Sequence, residues 1–301
     1  MDMELQPEAV LFSPLAASMA CSQMTAFMRH CEAATGQTFP GYWAFDKFLV
    51  AEFRAFWREF LCWSSLSHDG DTDPVCVGES CEEARFFPAL RLNYAENLLS
   101  GDPDSPAVTA CHHGGRPERL SRGELRGRVV RLAKSLDRLG VSPGDRVVAV
   151  VRNNVEVVIA ALAASAIGAT FSSCSPDMGA FAMLARFAPL APTVLLGNIR
   201  AEPWDPGVPV SERLAEVAAG LPTLRAVVAL DGGAVPDGLG LPVHRFADLT
   251  AGGAEPDFAW RRHAFNHPLF IMFSSGTTGA PKCIVHGVGG TSHEGISVKR
   301  A

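Results

Sequence analysis

The residues best equipped for chemistry form one run, Met272 to His286, which reads Met-Phe-Ser-Ser-Gly-Thr-Thr-Gly-Ala-Pro-Lys-Cys-Ile-Val-His. Gly276 and Gly279 let backbone N–H groups turn toward a ligand, Ser274, Ser275, Thr277 and Thr278 add O–H donors, and Lys282 adds a positive charge. An oligophosphate needs that combination, so the run is expected to cradle nucleotide phosphates, with Lys282 as the charge-stabilising catalytic residue. It is not a Walker A loop, which separates its glycines by four residues and ends in Gly-Lys-Ser/Thr; here Lys282 follows Pro281. The competing reading is a ligand-free Gly/Thr-rich turn. Ordinary turns need one or two special residues, not an unbroken series of small and hydroxylated ones closing on Pro-Lys.

Such a loop must be held by regular elements. The apolar runs Leu269 to Phe273 and Cys283 to Val285 read as strands on either side of it. Upstream, Ser121 and Glu124 make a capping box, Leu125, Val129, Leu132 and Leu136 share one helix face, and Gly140 supplies the left-handed stop. Ser142-Pro143-Gly144-Asp145 is a tight turn leading into a strand from Arg146 to Val151. Helix is then expected over 155–167, 180–190 and 212–219, and strand over 168–173, 193–196 and 225–230. Helices taking turns with continuous Val/Ala/Leu strands predict an α/β fold, a parallel sheet covered by helices on both faces. Ser172-Ser173-Cys174-Ser175-Pro176-Asp177 reads as a strand end that caps a helix, with Pro176 and Asp177 in its first turn.

The amino-terminal part is different. Residues 1 to 40 show no clear period, and order is expected to begin where Phe53, Phe56, Trp57, Phe60 and Leu61 make one apolar helix face opposite Glu52, Arg54 and Arg58. Residues 100–119, rich in Gly, Pro, Asp and His, read as a connection with one short hairpin. His112 and His113 fall there and read as solvated.

Composition removes several classes. A chain of 301 residues with 48% hydrophobic content can bury a large core. With 26 basic against 32 acidic residues, net charge −6 and no long basic block, nucleic acid is not an expected partner. The 8 cysteines form no Cys-x-x-Cys pair and no metal-ligand spacing with histidine, so no metal site is identifiable and reduced cytosolic thiols are expected. The acidic start lacks a secretory pattern, and the apolar stretch from Val157 to Phe171 falls short of the roughly 20 residues that span a bilayer.

The run at 272–286 resembles the phosphate-loop signature of the adenylate-forming acyl-CoA ligases, although Cys283 stands where most of that superfamily has glycine. Within it, His267-Pro268-Leu269-Phe270-Ile271, Ile284-Val285-His286-Gly287 and Arg91 to Leu99 are most similar to the acetoacetyl-CoA synthetase family (acetoacetate–CoA ligases). Phe56-Trp57-Arg58-Glu59-Phe60 and the Ser-Pro-Asp segment also resemble it. The resemblance covers about residue 40 to Thr291. It implies the amino-terminal portion of the ligase large domain: a helical region over 1–99, a partial AMP-binding domain over 100–291 and a divergent polar tail over 292–301.

The resemblance further implies a two-step reaction. Acetoacetate attacks the α-phosphate of ATP with Mg²⁺ assistance, releasing pyrophosphate, and the thiol of coenzyme A then displaces AMP from the acyl-adenylate. ATP, Mg²⁺ and coenzyme A are therefore the expected cofactors and co-substrates, and a synthetase for acetate or propionate is the alternative enzyme. Ser274 to Gly279 and Lys282 would hold the β- and γ-phosphates. Arg126, Arg128 and Arg131 would meet coenzyme A, though the bare reading is a solvated basic face opposite the leucines. In that family the adenine site, the Mg²⁺ carboxylate and the adenylation lysine lie beyond the phosphate loop. The chain is accordingly expected to be a truncated form, inactive by itself, chaperone-associated, and open to the further alternative of a non-catalytic nucleotide-binding or interfering fragment.

Overall fold

A computed structural model describes residues 13–78, 80, 82–111, 115, 117–203, 205, 207–252, 257–274 and 281–292. They fall into two compact units that divide between Ser65 and Leu66.

The first unit is helical: α1 (Ala16–Ala20), α2 (Gln23–Thr35), α3 (Tyr42–Ala51) and α4 (Phe53–Ser64). α4 follows the expected aromatic face. α2 corrects the expectation that order starts after residue 40: Ser22 caps it by accepting from the Thr25 N–H at 3.2 Å, and Gly36 ends it at φ +71°. Its reason for being helical is tertiary. Phe27 meets Phe45, Phe56 and Phe60 edge-on at 6.0, 5.5 and 5.2 Å, a core to which α2, α3 and α4 all contribute. Cys31 is fully buried there, and burial, with a smaller contribution from Glu59, pushes its thiol up to about 12; it is inert packing.

The second unit begins with short pieces. β1 (His68–Asp69) and β4 (Arg91–Leu92) pair with each other, β2 (Cys76–Val77) pairs with β3 (Arg85–Phe86), and α5 (Tyr94–Leu99) follows. β5 (Pro106–Ala110) and β6 (Glu118–Ser121) form the expected hairpin. Then the alternation begins: α6 (Arg122–Arg138), β7 (Arg146–Val150), α7 (Val155–Ala166), β8 (Thr170–Cys174), α8 (Ala180–Phe187), β9 (Val194–Gly197), α9 (Val210–Ala219) and β10 (Ala226–Ala229). It continues with β11 (Val243–Arg245), α10 (Phe246–Thr250), β12 (His263–Ala264), which pairs with β4, and the hairpin β13 (Pro268–Ser274) and β14 (Lys282–Gly287).

Seven strands make the central sheet in the order β11-β10-β9-β7-β8-β13-β14; every neighbouring pair is parallel except β13 with β14. The period of two along each strand divides the core. Val147 and Ala149 face α6 and α7 with Leu125, Val129, Leu132, Leu136 and Ile159, whereas Val148 and Val150 face α8 and α9 with Met183, Phe187, Leu214 and Val217. The α/β architecture with helices on both faces is therefore present as read. So is the capping box of α6: the Glu124 N–H donates to Ser121 Oγ at 3.2 Å and the Ser121 N–H to Glu124 Oε2 at 2.8 Å, with Gly140 at φ +84° after the end.

Two local readings need correction. Ser172 and Cys174 belong to β8, and Ser175 forms a side-chain turn, donating to Asp177 Oδ2 at 3.1 Å; helix α8 starts only at Ala180 with Gly179 as its cap. Pro176 and Asp177 thus lie in a turn before the helix. β11 and α10 were not anticipated. Three residues carry too short a pattern to be seen, and β11 exists because it registers on β10, Val227 opposite Val243 and Ala229 opposite Arg245.

Candidate active site

The antiparallel register of β13 and β14 sets Ser274 opposite Lys282, Phe273 opposite Cys283 and Met272 opposite Ile284. Directly opposed residues in such a pair hold their Cβ atoms about 4.5–5.5 Å apart. The hydroxyl of Ser274 and the ammonium stem of Lys282 therefore stand side by side at the open end of the hairpin, with residues 275–281 joining them. Ser275, Gly276, Thr277, Thr278 and Gly279, the remaining phosphate-cradle candidates, lie outside the described residues, as do His112 and His113. Lys282 is exposed.

This mouth is at the carboxyl end of a parallel strand, the position where open α/β sheets bind ligands. A cleft of about 480 Å³ opens beside it, lined by Phe171 to Ser175 from β8 and the turn after it, Met178, Arg186 of α8, and Phe270 to Phe273 of β13. The Arg186 guanidinium lies 6.0 Å from the centre of the Phe273 ring and also donates to the Ala182 carbonyl at 2.7 Å. Cys174 is buried in the wall. Burial pushes its thiol up to about 11, only partly offset by Arg186, so it is neutral near pH 7 and no nucleophile. The cleft can bind and orient a ligand; its walls supply no general base.

Arg186 and Ser172 escaped the sequence reading. Arg186 looks like an ordinary cation in a last helical turn, and Ser172 reads from sequence as part of a cap. Only the parallel pairing of β8 with β13 brings both beside the loop.

The three arginines of α6 line two different hollows. Arg128 and Arg131 line a depression of about 760 Å³ together with Arg200, Arg245, Asn154, Glu156, Asp231 and Asp248. Arg128 Nη1 is 3.5 Å from Glu118 Oε1, and Arg131 Nε donates to the Thr250 carbonyl at 2.7 Å. Arg245 Nη1 donates to the Gly233 carbonyl at 2.7 Å, and Asp231 accepts from Asn198 Nδ2 at 3.0 Å and the Arg200 N–H at 2.9 Å. Four guanidinium groups therefore share this depression with three carboxylates, Glu156, Asp231 and Asp248, so its charge is mixed. Arg126 belongs instead to a smaller hollow of about 180 Å³ beside Leu99, Pro103 and Arg122.

Among the described residues no group of three or more His, Cys, Asp and Glu could hold a metal ion. Mg²⁺, which the resemblance implies, finds no protein ligand set in these side chains, and no role for it rests on them. No described helix is long and apolar enough to cross a membrane.

Comparison with known proteins gives the family. The chain is 36% identical over 293 residues to an acetoacetyl-coenzyme A synthetase of Rhizobium meliloti (strain 1021), covering 95% of this chain and 44% of that protein. It is 30% identical over 287 residues to a malonamoyl-CoA synthetase of Penicillium aethiopicum, covering 90% of this chain and 40% of the relative. The solved structure of an acetoacetyl-CoA synthetase from Streptomyces lividans superposes with a TM-score of 0.87 at 34% identity, over 94% of this chain and 44% of that one. The chain thus spans less than half the length of the relatives it matches. The family model described as AMP-binding enzyme matches residues 96–299, and with the hairpin, the parallel sheet and the cleft in their places, the chain belongs to the AMP-binding enzyme family.

Proposed function

We propose that this chain forms the phosphate-binding, amino-terminal part of an acetoacetate–CoA ligase, which joins acetoacetate to coenzyme A through an acyl-adenylate at the expense of ATP. The observation that carries the proposal is the register of Ser274 on Lys282 at the carboxyl end of β13, which fixes both ends of the Ser-Gly-Thr-Thr-Gly loop. In this reading the N–H groups of Gly276 and Gly279 and the hydroxyls of Ser274, Ser275, Thr277 and Thr278 donate to the β- and γ-phosphates. Lys282 offsets their charge as pyrophosphate departs. These contributions are positioning and charge stabilisation, the main means of phosphoryl and adenylyl chemistry.

The acid is a short 3-oxo carboxylate. Acetoacetate and malonamate, the acids in the names of two relatives, share a carboxylate and a carbonyl at the third carbon and differ only by a methyl against an amino group. Acetate and propionate lack that carbonyl, which places the alternative synthetase second. Coenzyme A would present its 3′-phosphate to Arg128 and Arg131, with Arg200 and Arg245 beside them, while Arg126 would stand apart. The reaction belongs to a reducing cytosolic setting, in keeping with free thiols at all seven described cysteines.

The test is binding and exchange. Calorimetry on the 301 residues should show ATP bound more tightly than adenosine, and equal affinities would sink the phosphate role. In a form with the relatives' full length, acetoacetate should drive exchange of pyrophosphate into ATP faster than acetate; the reverse order would favour the acetate-type enzyme. A second reading is a nucleotide-binding fragment without catalysis, favoured by the exposure of Lys282 to Val285 along β14, which pairs on one side only among the described residues.

A further inference from the structure

The strand that carries the phosphate loop is weakly docked by its own backbone. β13 registers with β8 only at Phe270 opposite Phe171, whereas β7 registers with β8 at five successive positions from Arg146 on Thr170 to Val150 on Cys174. The cause is local. Pro268 opens β13 with no N–H to give, and on its other side the register of β13 against β14 shifts between Pro268 and Phe270. Side chains of β8 add hydrogen bonds to two carbonyls of β13. Thr170 Oγ1 donates to the Pro268 carbonyl at 3.3 Å and Ser172 Oγ donates to the Ile271 carbonyl at 2.7 Å. Thr170 and Ser172 are two apart, so they leave one side of the strand together, and each is only 3% exposed. One residue further back, His267 Nε2 donates to the Gly168 carbonyl at 2.8 Å, joining the root of β13 to the turn before β8.

We propose that Thr170 and Ser172 are positioning residues for the phosphate loop: their hydroxyls stand in for ladder N–H groups and fix where β13 ends, and hence where Ser274 and Lys282 stand. This inference rests on the phosphate reading for its functional meaning, but not for its structural content. Each hydroxyl ties a β13 carbonyl to β8, and a water entering from the cleft beside Ser172 carries no such tether, so removing the hydroxyls leaves the strand freer to shift. β8 itself keeps its full ladder to β7, which confines the effect to the hairpin.

The experiment compares the 301-residue chain with its Thr170→Val, Ser172→Ala, doubly substituted and Thr170→Ser forms by site-resolved amide hydrogen exchange and by titration with inorganic tripolyphosphate. The double form should exchange at least tenfold faster at 269–273 and 283–286, with 147–150 and 194–196 changed by less than twofold, and should bind tripolyphosphate about tenfold more weakly. Thr170→Ser, which keeps the hydroxyl, should match the parent in both. Unchanged exchange in the hairpin, or an equal rise across the whole sheet, overturns the proposal, because a merely structural loss would loosen all strands together. So does unaltered tripolyphosphate affinity in the double form when the parent binds it. If the parent binds no tripolyphosphate, the phosphate reading fails for this chain, and the exchange pattern alone still decides whether the hydroxyls position the strand. Should the double form fail to fold, the two single forms carry the same comparison.

Discussion

Lys282 is exposed and faces Ser274 across the hairpin mouth, so its ammonium is available to a ligand. An ammonium acts on phosphates and not on a base, so Lys282→Ala should weaken ATP binding by about 1.5–3 kcal/mol, the range of a charge-assisted hydrogen bond, and leave adenosine untouched in calorimetry. Equal losses for both would remove Lys282 from the site. The arginines separate by the same logic. Arg128→Ala with Arg131→Ala should cost full-length enzyme about tenfold in affinity for coenzyme A and little for its 3′-dephospho form, whereas Arg126→Ala should cost neither. A third residue governs acid stability. His263 packs against Gly168, stacks on His267 with ring centres 4.7 Å apart, and has no partner for Nε2. Burial first, then His267, Arg261 and Arg91, pushes it from 6.5 down to about 4. The folded state therefore binds this proton less readily than the unfolded chain, and its contribution is intact above pH 6.5 and lost as pH falls toward 4. His263→Phe, which keeps the ring and cannot titrate, should flatten the fall of the urea midpoint over that window; a fall as steep as the parent's would show that other groups cause it.

At the scale of elements, the turn between α7 and β8 is the tightest constraint near the site. Gly168 sits at φ +80°, and a Cβ there would stand 2.3 Å from the His263 ring. Left-handed backbone costs an ordinary residue about 1–2 kcal/mol, and displacing a packed ring adds about 1–3 kcal/mol, so Gly168→Ala should lower unfolding stability by a few kcal/mol in denaturant titration. A loss under 0.5 kcal/mol would mean that the ring moves aside freely. Nothing in the sequence announces this contact, because His263 and Gly168 are far apart in the chain. What was legible follows the same rule. α6 could be read because its cap, apolar stripe and stop are all local, Ser121 with Glu124, Leu125 to Leu136, and Gly140. α2 had its brackets in place, Ser22 and Gly36, but its helical state depends on rings from α3 and α4 that sequence does not bring near. Ser172 shows the opposite failure: a serine beside Pro-Asp fits a cap so well that its partner, the Ile271 carbonyl on another strand, was invisible. The loop was recognised from residue types, and its flanking strands from their apolar runs. That Lys282 would stand opposite Ser274 needed the register.

For the molecule as a whole, the sheet among the described residues ends at the hairpin that holds Ser274 and Lys282. β14 is an outer strand among the described residues, and the hairpin presents Met272, Ile284 and Val285 at 58, 46 and 55% exposure. Apolar side chains in that number on an outer hairpin form a surface made to be covered. The relatives that match this chain are more than twice as long as the part matched. Among the described residues Ser274 and Lys282 face each other at the hairpin, a hollow of mixed charge lies beside α6, and no group of three or more His, Cys, Asp and Glu could hold a metal ion. Groups that act as a unit lose far more than their share when some are missing, so if other catalytic groups lie outside these 301 residues, the proposed phosphate loop supplies only a fraction of the stabilisation the transition state needs. The purified 301 residues should therefore bind ATP weakly, should show no acetoacetate-dependent exchange of pyrophosphate into ATP, and should self-associate in a concentration-dependent way through the β14 edge. Replacing Val285 by lysine, which blunts an outer strand with charge, should reduce that association in sedimentation and leave the ATP affinity within about twofold. Exchange by the 301 residues at a rate near that of a full-length synthetase would show that the missing stabilisation is present after all, and with it the inactive-fragment reading would fall.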